Sequence, residues 1–143
     1  MKNCIYPNGV YIYANGALHI PETYNGTTGK VIIVMASDAF ELSPEQIENV
    51  TWGEAMNFAK LKGGNLPNRL QRIIMWEYSD QVQIALEKIG GTQLGEDWEW
   101  LCEEYSFYAW FFYGDNGVMY YNYKLNTSTG RPIFNFSLDT LAN

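Results

Sequence analysis

Asp97 and Glu99 are the two side chains of this sequence whose types and spacing come nearest to a catalytic pair. Two residues apart on a strand, their carboxylates would share one face at about 7 Å. That separation lies in the range of inverting glycosidases, where one carboxyl protonates the leaving group and the other activates water. No neighbouring stretch supplies the walls of a pocket, so a second reading stands beside it: two solvated charges. Glu103 and Glu104 are adjacent, point to opposite faces of a strand and cannot act together. Cys102 would need a base to act as a nucleophile, and the single histidine, His19, lies far from it in sequence. Cys4 and Cys102 make no disulfide framework, and no CxxC or Cys/His cluster suggests zinc. Asp115-Asn116 is explained by turn chemistry. The sequence therefore implies no metal and no cofactor. Four Asn-x-Ser/Thr sequons, at Asn25, Asn49, Asn126 and Asn135, read as chance.

The other chemistry on offer is aromatic. Residues 97–136 hold 14 of the chain's 23 aromatic residues. Two apolar-rich runs, 107–113 and 118–124, flank Gly114-Asp115-Asn116-Gly117, and Asn-Gly between such runs predicts a β-hairpin because both residues tolerate positive φ. Pro132 then opens a last strand over 133–136, so the C-terminal third reads as an antiparallel sheet. Alternation puts Trp110, Phe112, Met119, Tyr121 and Tyr123 on one face, and Phe111, Tyr113, Val118, Tyr120 and Asn122 on the other. Both faces are rich in large rings, which either fill a core or form a binding surface.

The elements that must carry this sheet follow from the rest of the chain. At 143 residues it is long enough for a sizeable core, and residues 1–143 are read as one domain. The formal charge of −7 disfavours nucleic acid and anionic membrane surfaces as partners. No apolar run suits a signal peptide or a membrane span, which implies synthesis in the cytoplasm without a signal peptide and no membrane insertion. Val10–Tyr13 and Ala17–Ile20 bracket Asn15-Gly16 and predict an N-terminal hairpin over 10–20, after a turn at Pro7-Asn8-Gly9. Val31–Ala36 reads as a buried strand and Phe40–Ser43 as a further short one. Residues 51–91 read as helical. Thr51 and Glu54 form a capping box, with Ala55, Met56, Ala59 and Leu61 following at roughly helical spacing and a stop at Gly63-Gly64. A second helix starts at Asn68, with Gln71 three residues on, and buries Leu70, Ile73 and Ile74. A third runs from Asp80 to Ile89, capped by Ser79, buries Val82, Leu86 and Ile89, and stops at Gly90-Gly91. Strands, helices, then strands make an α+β domain with a mainly antiparallel sheet.

Several stretches together resemble a known family. Thr51-Trp52-Gly53-Glu54-Ala55, Gly63-Gly64-Asn65-Leu66-Pro67 and the run 84–91 (IALEKIGG) are similar to the "TW-x-EA", "GG-x-LP" and "ALEKIGG" segments of bacterial C-type-lectin-like domains. Trp100, Glu104, Ser106, Ala109-Trp110, Gly117, Lys124 and Arg131-Pro132 fall where that family shows "WSSTE-x-S … AW … G … K … VRPV". The resemblance covers residues 50 to 136 and rests on order and spacing. Its nearest branch is the variable proteins of diversity-generating retroelements, which include phage tropism determinants. In these, adenine-directed mutagenesis rewrites surface positions of the C-terminal sheet.

The resemblance implies a C-type-lectin-like fold with a non-enzymatic, ligand-binding sheet over 97–136. The diversifiable types stand at Tyr105, Phe107, Tyr108, Phe111, Tyr113, Asp115, Asn116, Val118, Tyr120, Asn122, Leu125, Thr127 and Ser128. It assigns Trp52, Trp100, Trp110, Gly117, Arg131 and Pro132 to the framework, with Trp110 in the core between helix and sheet. The implied partner is a cell-surface protein or glycan, met by a protein carried on a phage particle, and an oligomer is allowed. The sequence departs from the pattern at Leu101-Cys102, Gly114 and Gly130. The paired cysteines of sulfatase-activating relatives and the Glu-Pro-Asn or Gln-Pro-Asp loops of calcium-dependent lectins are not in the sequence. Two alternatives remain: a carbohydrate-active enzyme using Asp97 and Glu99, and a non-variable module of a tail, pilus or cell-wall assembly.

Overall fold

The computed structural model describes residues 8–26, 29–35 and 38–137. Cys4, Pro7 and Ala36 lie outside them. In chain order the elements are β1 (Gly9–Ile12), β2 (Leu18–His19), β3 (Lys30–Val34), β4 (Asp38–Leu42), β5 (Ile47–Val50), α1 (Trp52–Leu61), α2 (Arg69–Glu77), α3 (Ser79–Lys88), β6 (Trp98–Tyr105), β7 (Tyr108–Tyr113), β8 (Met119–Tyr123), β9 (Ser128–Gly130) and β10 (Ile133–Ser137). The class is α+β, with two mixed, mostly antiparallel sheets. The chain divides into two units, one built from the segments up to Pro44, Tyr78–Gln93 and the residues from Phe134 on, the other from Glu45–Glu77 and Leu94–Ile133.

The first unit holds the sheet β10-β4-β3-β1-β2 and helix α3. The N-terminal hairpin forms with Tyr11 opposite His19 and Ile12 opposite Leu18, while β1 runs parallel to β3. Val10, Ile12, Val31, Ile33, Phe40 and Leu42 are buried, and so are Val82, Leu86 and Ile89 of the third helix, as its apolar spacing predicts. Ser79 is the first helical residue and makes no cap; Tyr78 occupies the cap position without a side-chain hydrogen bond. The last strand departs from expectation. It completes the first sheet beside β4 and does not join the C-terminal one. Pro132 has no N–H to extend a ladder, and the N–H and C=O of Ile133 go to Asn65, at 2.7 and 2.9 Å.

The second unit holds the sheet β5-β9-β6-β7-β8, antiparallel throughout except for the β6–β9 pairing. The capping box is present: Thr51 N–H donates to Glu54 Oε1 at 2.8 Å and Glu54 N–H donates to Thr51 Oγ1 at 3.3 Å. Ala55 and Ala59 are buried in α1, but Leu61 is 80% exposed. Six residues beyond Ala55 is roughly 240° around the helix, away from the core. The second helix starts where expected, since Asn68 and Gln71 cap each other reciprocally at 2.9 and 2.8 Å. Its buried side is nonetheless rotated by one residue: Gln71, Arg72 and Met75 are buried, whereas Leu70 and Ile73 are exposed and Ile74 is half-buried. Arg72 turns inward because a buried carboxylate, Glu99, awaits it on β6.

The register of β7 and β8 pairs Tyr108 with Tyr123, Trp110 with Tyr121, Phe111 with Tyr120 and Phe112 with Met119. Paired residues share a face, so the two-face assignment holds for both strands, with Val118 just ahead of β8. Within the hairpin Gly117 alone takes a positive φ, 79°, and its missing Cβ leaves room for Trp76, whose ring would lie 2.9 Å away.

Candidate binding surface

The sheet of the second unit is covered unequally on its two faces. On one, α1 packs with Trp100, Ala109, Val50 and Leu66 into a buried cluster. Trp100 is fully buried and donates its indole N–H to the Val50 carbonyl at 2.9 Å. Trp52 closes the side, donating to the Leu101 carbonyl at 2.9 Å beneath the Lys124 ammonium, 4.5 Å from its ring centre. Phe111 and Tyr113 lie on this face too. Both stack on Trp98, with ring centres 4.0 and 4.6 Å apart and planes tilted 18° and 21°. They are half-buried structural rings, which corrects their assignment to a freely exchangeable surface. Tyr120, 60% exposed, meets the Trp98 ring at 6.5 Å and 55°, and Asn122 is half-buried, accepting from the Tyr123 N–H and the Asn126 side chain.

On the other face α2 covers one end. Phe112 is fully buried, with the Arg72 guanidinium 4.1 Å above it and Trp76 at its edge, 5.9 Å away. Trp110 is half-buried, not core, because its cover is the Arg69 guanidinium, 4.4 Å from the ring centre. Glu103 holds Arg69 in place, accepting from its backbone N–H at 2.7 Å and from Nε at 3.1 Å. Beyond Trp110 the face is open. Tyr105, Tyr108, Tyr121 and Tyr123 are 75%, 41%, 59% and 42% exposed. Tyr108 meets Tyr121 edge-on at 5.7 Å and 77°, and Trp110 meets Tyr121 at 5.7 Å and 78°. This edge-to-face packing is the preferred geometry of aromatic pairs. With the tilted contact of Tyr108 and Tyr123 at 6.0 Å, it holds three tyrosines against one another and Trp110 while leaving much of their ring surface in water.

The structure therefore brings Tyr105 and Tyr108 together with Tyr121 and Tyr123, which the sequence reading sets with Trp110 on one face and leaves out of the binding set. Arg69 and Trp98 were also missed, and the available signal was the pair of arginines three apart in α2 matching Glu99 and Glu103 on β6. Phe107, Asp115, Asn116, Val118, Leu125 and Thr127 are exposed in turns and strand ends, and Ser128 is half-buried in β9. Arg131 and Pro132 are buried. The departures at Gly114 and Gly130 have local reasons: a Cβ at 114 would collide with the Gly95 carbonyl oxygen, and one at 130 would lie 2.8 Å from the Ala55 methyl.

The carboxylate pair comes out differently. Glu99 is 5% exposed and Arg72 2%, and they make a bidentate pair at 2.8 and 3.2 Å. Arg131, 1% exposed, donates to Gln46 at 2.9 Å. Burial pulls its pKa down to about 10, against the nearby Glu99, which raises it, and with Arg72, which lowers it further. Asp97 is exposed just ahead of β6. Glu99 is thus an ion-paired structural group rather than a solvated charge, and both its oxygens are engaged by Arg72. The opening lined by Gln46, Gly95, Asp97, Glu99 and Thr129 holds about 10 Å³, the space of one water and far less than a sugar ring. Glu103 and Glu104 do part, the one to Arg69 and the other to Lys124 at 2.5 Å. Burial, then the charge of Glu103, pushes the Cys102 thiol up, away from the reactive thiolate. Among the described residues no group of three or more His, Cys, Asp or Glu side chains is placed to hold a metal.

Comparison with known proteins brings no identity: no protein-family model matches the chain, and no curated protein matches it.

Proposed function

We propose that this chain is a non-enzymatic binding protein of C-type-lectin-like architecture whose aromatic sheet attaches to a cell-surface ligand. The observation that carries the reading is the open face formed by Tyr105, Tyr108, Tyr121 and Tyr123 beside the Arg69-capped Trp110. Tyrosines held on a rigid sheet offer large amphipathic contact area and lose little side-chain entropy on binding, the economy of antibody paratopes. Tyr, Trp and Arg are also the residues in which binding energy concentrates at interfaces. The rings are steeply tilted to one another, between 55° and 78°, so the face is rugged. Clefts between tilted rings suit the side chains of a protein better than a glycan chain, which stacks best on successive coplanar rings.

The resemblance to variable proteins of diversity-generating retroelements supports a role in phage or bacterial attachment, with the exposed positions of 105–128 as exchangeable ones. The test is binding of the labelled chain to intact bacterial cells. Loss of binding after protease treatment, with retention after periodate oxidation of glycans, is the expected result; the reverse pattern makes the ligand a glycan. Binding to no cell type, together with hydrolysis of a glycoside by the purified chain, would sink the reading. At the gene, an adenine-rich second copy of the segment encoding 98–136 is expected, and its absence would favour a non-variable assembly module.

A further inference from the structure

Strand β8 is one of the two edge strands of its sheet among the described residues, β5 being the other. Folded proteins normally blunt such edges with lysine, proline, a bulge or a covering segment, because unpaired N–H and C=O groups recruit other strands. Residues 119–123 hold no charge and no proline, and their register with β7 runs unbroken. The bonds from Tyr113 N–H to the Val118 carbonyl (2.8 Å) and from Lys124 N–H to the Phe107 carbonyl (2.9 Å) bracket the ladder and fix its phase. Tyr120 and Asn122 turn their backbone groups towards β7, and Met119, Tyr121 and Tyr123 turn theirs outward. Tyr123 is closed locally: its N–H meets Asn122 Oδ1 at 2.8 Å and its carbonyl accepts the Asn126 N–H at 3.0 Å. The open groups are those of Met119 and Tyr121.

We propose that a second copy of this chain pairs antiparallel with β8, with Tyr120 on the two-fold axis. In that register Met119 of each copy faces Tyr121 of the other, and the open groups of both strands close into four hydrogen bonds. On one sheet face the Met119 thioether meets the facing Tyr121 ring, a favourable sulfur–aromatic contact. On the other, the two Tyr120 rings meet. A chain with net charge −7 tends to repel its own copy, and this strip adds no charge to that repulsion. The closure at Tyr123 keeps the ladder short, so a two-fold contact uses up the edge and does not propagate. Pairing consumes backbone groups and leaves the sheet faces open. Two ligand faces then ride on one continuous sheet, and attachment gains by avidity.

The test is cross-linking in a chain with Cys4 and Cys102 changed to Ser. Across a non-hydrogen-bonded antiparallel pair the Cα atoms lie about 4.5 Å apart, within reach of a disulfide. Mild oxidation is expected to convert Tyr120→Cys to a covalent dimer, and Asn122→Cys, which faces residue 118 of the other copy, to remain monomeric. Sedimentation of the unaltered chain is expected to show dimer at high concentration. Tyr121→Pro removes an outward N–H that β7 does not use, and is expected to raise the dissociation constant about thirtyfold, two hydrogen bonds converted at tenfold per 1.4 kcal/mol. A monomer at every concentration overturns the proposal. So does equal cross-linking at 120 and 122, or a dimer that Tyr120→Cys does not trap. Should Tyr121→Pro fail to fold, the cross-linking pair decides alone. None of these readouts uses the cell-surface ligand, so the proposal and the binding function stand or fall separately.

Discussion

Glu99→Gln removes one charge from the buried cluster of the second unit and changes almost nothing in shape. Arg72, Arg131 and Glu99 are 2%, 1% and 5% exposed, so the folded protein keeps two cations and one anion out of water. Taking away the anion leaves the Arg72 guanidinium without the carboxylate it pairs with. Breaking one side of a buried ion pair costs about 3–5 kcal/mol. At about 3 °C per kcal/mol for a domain of this size, the melting temperature is expected to fall by about 10–15 °C. Arg72→Met is expected to cost less, about 1–3 kcal/mol, because Glu99 then still faces Arg131 and the interior holds one charge of each sign. It also removes Arg72 Nη1, a buried donor without an acceptor among the described residues. Urea titration at neutral pH, followed by tryptophan fluorescence, measures both variants. The reasoning is refuted if Arg72→Met proves as costly as Glu99→Gln, or if Glu99→Gln costs under about 1 kcal/mol.

The α1 cap gives a pH test. Hydrogen bonds from the Thr51 backbone and side chain lower the Glu54 carboxyl pKa, so its contribution is present above the ordinary carboxyl value and is lost as pH falls through the lowered one. Glu54→Gln keeps the cap geometry and is expected to flatten that part of the stability–pH curve, while Thr51→Ala costs about 1 kcal/mol; an unchanged acid profile in Glu54→Gln counts against the assignment. Trp100→Ala is expected to cost about 3–5 kcal/mol and Trp110→Ala about 1–2, since the first is fully buried and the second half-covered by Arg69; equal thermal shifts would mean the two faces are misassigned. Gly114→Ala sets a methyl against the Gly95 carbonyl and is expected to lower stability by about 1–3 kcal/mol, where a neutral effect would show that the loop yields.

What the sequence made legible was what depends on local pattern. The Thr51–Glu54 cap, the Asn68–Gln71 start and both hairpins follow from turn and cap chemistry within a few residues. The faces of β7 and β8 follow from alternation. What escaped depends on partners distant in sequence. The rotation of α2 is decided by Glu99, 27 residues from Arg72, and a basic residue in a helix reads as solvated until its carboxylate is known. The resemblance puts Trp110 in the core, while Arg69 and Glu103 supply a polar lid that neither resemblance nor spacing reveals. Phe111 and Tyr113 read as exchangeable until Trp98 is seen stacked against them. The last strand was lost to the other sheet because a strand's own pattern does not name its neighbour.

The central claim is that the open tyrosine face makes the attachment. Tyr121→Ser/Tyr123→Ser removes two exposed rings together with their contacts to Tyr108 and Trp110, worth about 0.5–1.5 kcal/mol each. The decisive measurement pairs the melting temperature of this variant with its binding to the same cells that hold the unaltered chain, with Tyr113→Ser on the opposite face as the comparison. The account predicts a double variant that stays folded, with a modestly lowered melting temperature, and lost binding. For Tyr113→Ser, which breaks the stack on Trp98, it predicts lowered stability and retained binding. A double variant that folds and still binds with undiminished affinity contradicts it.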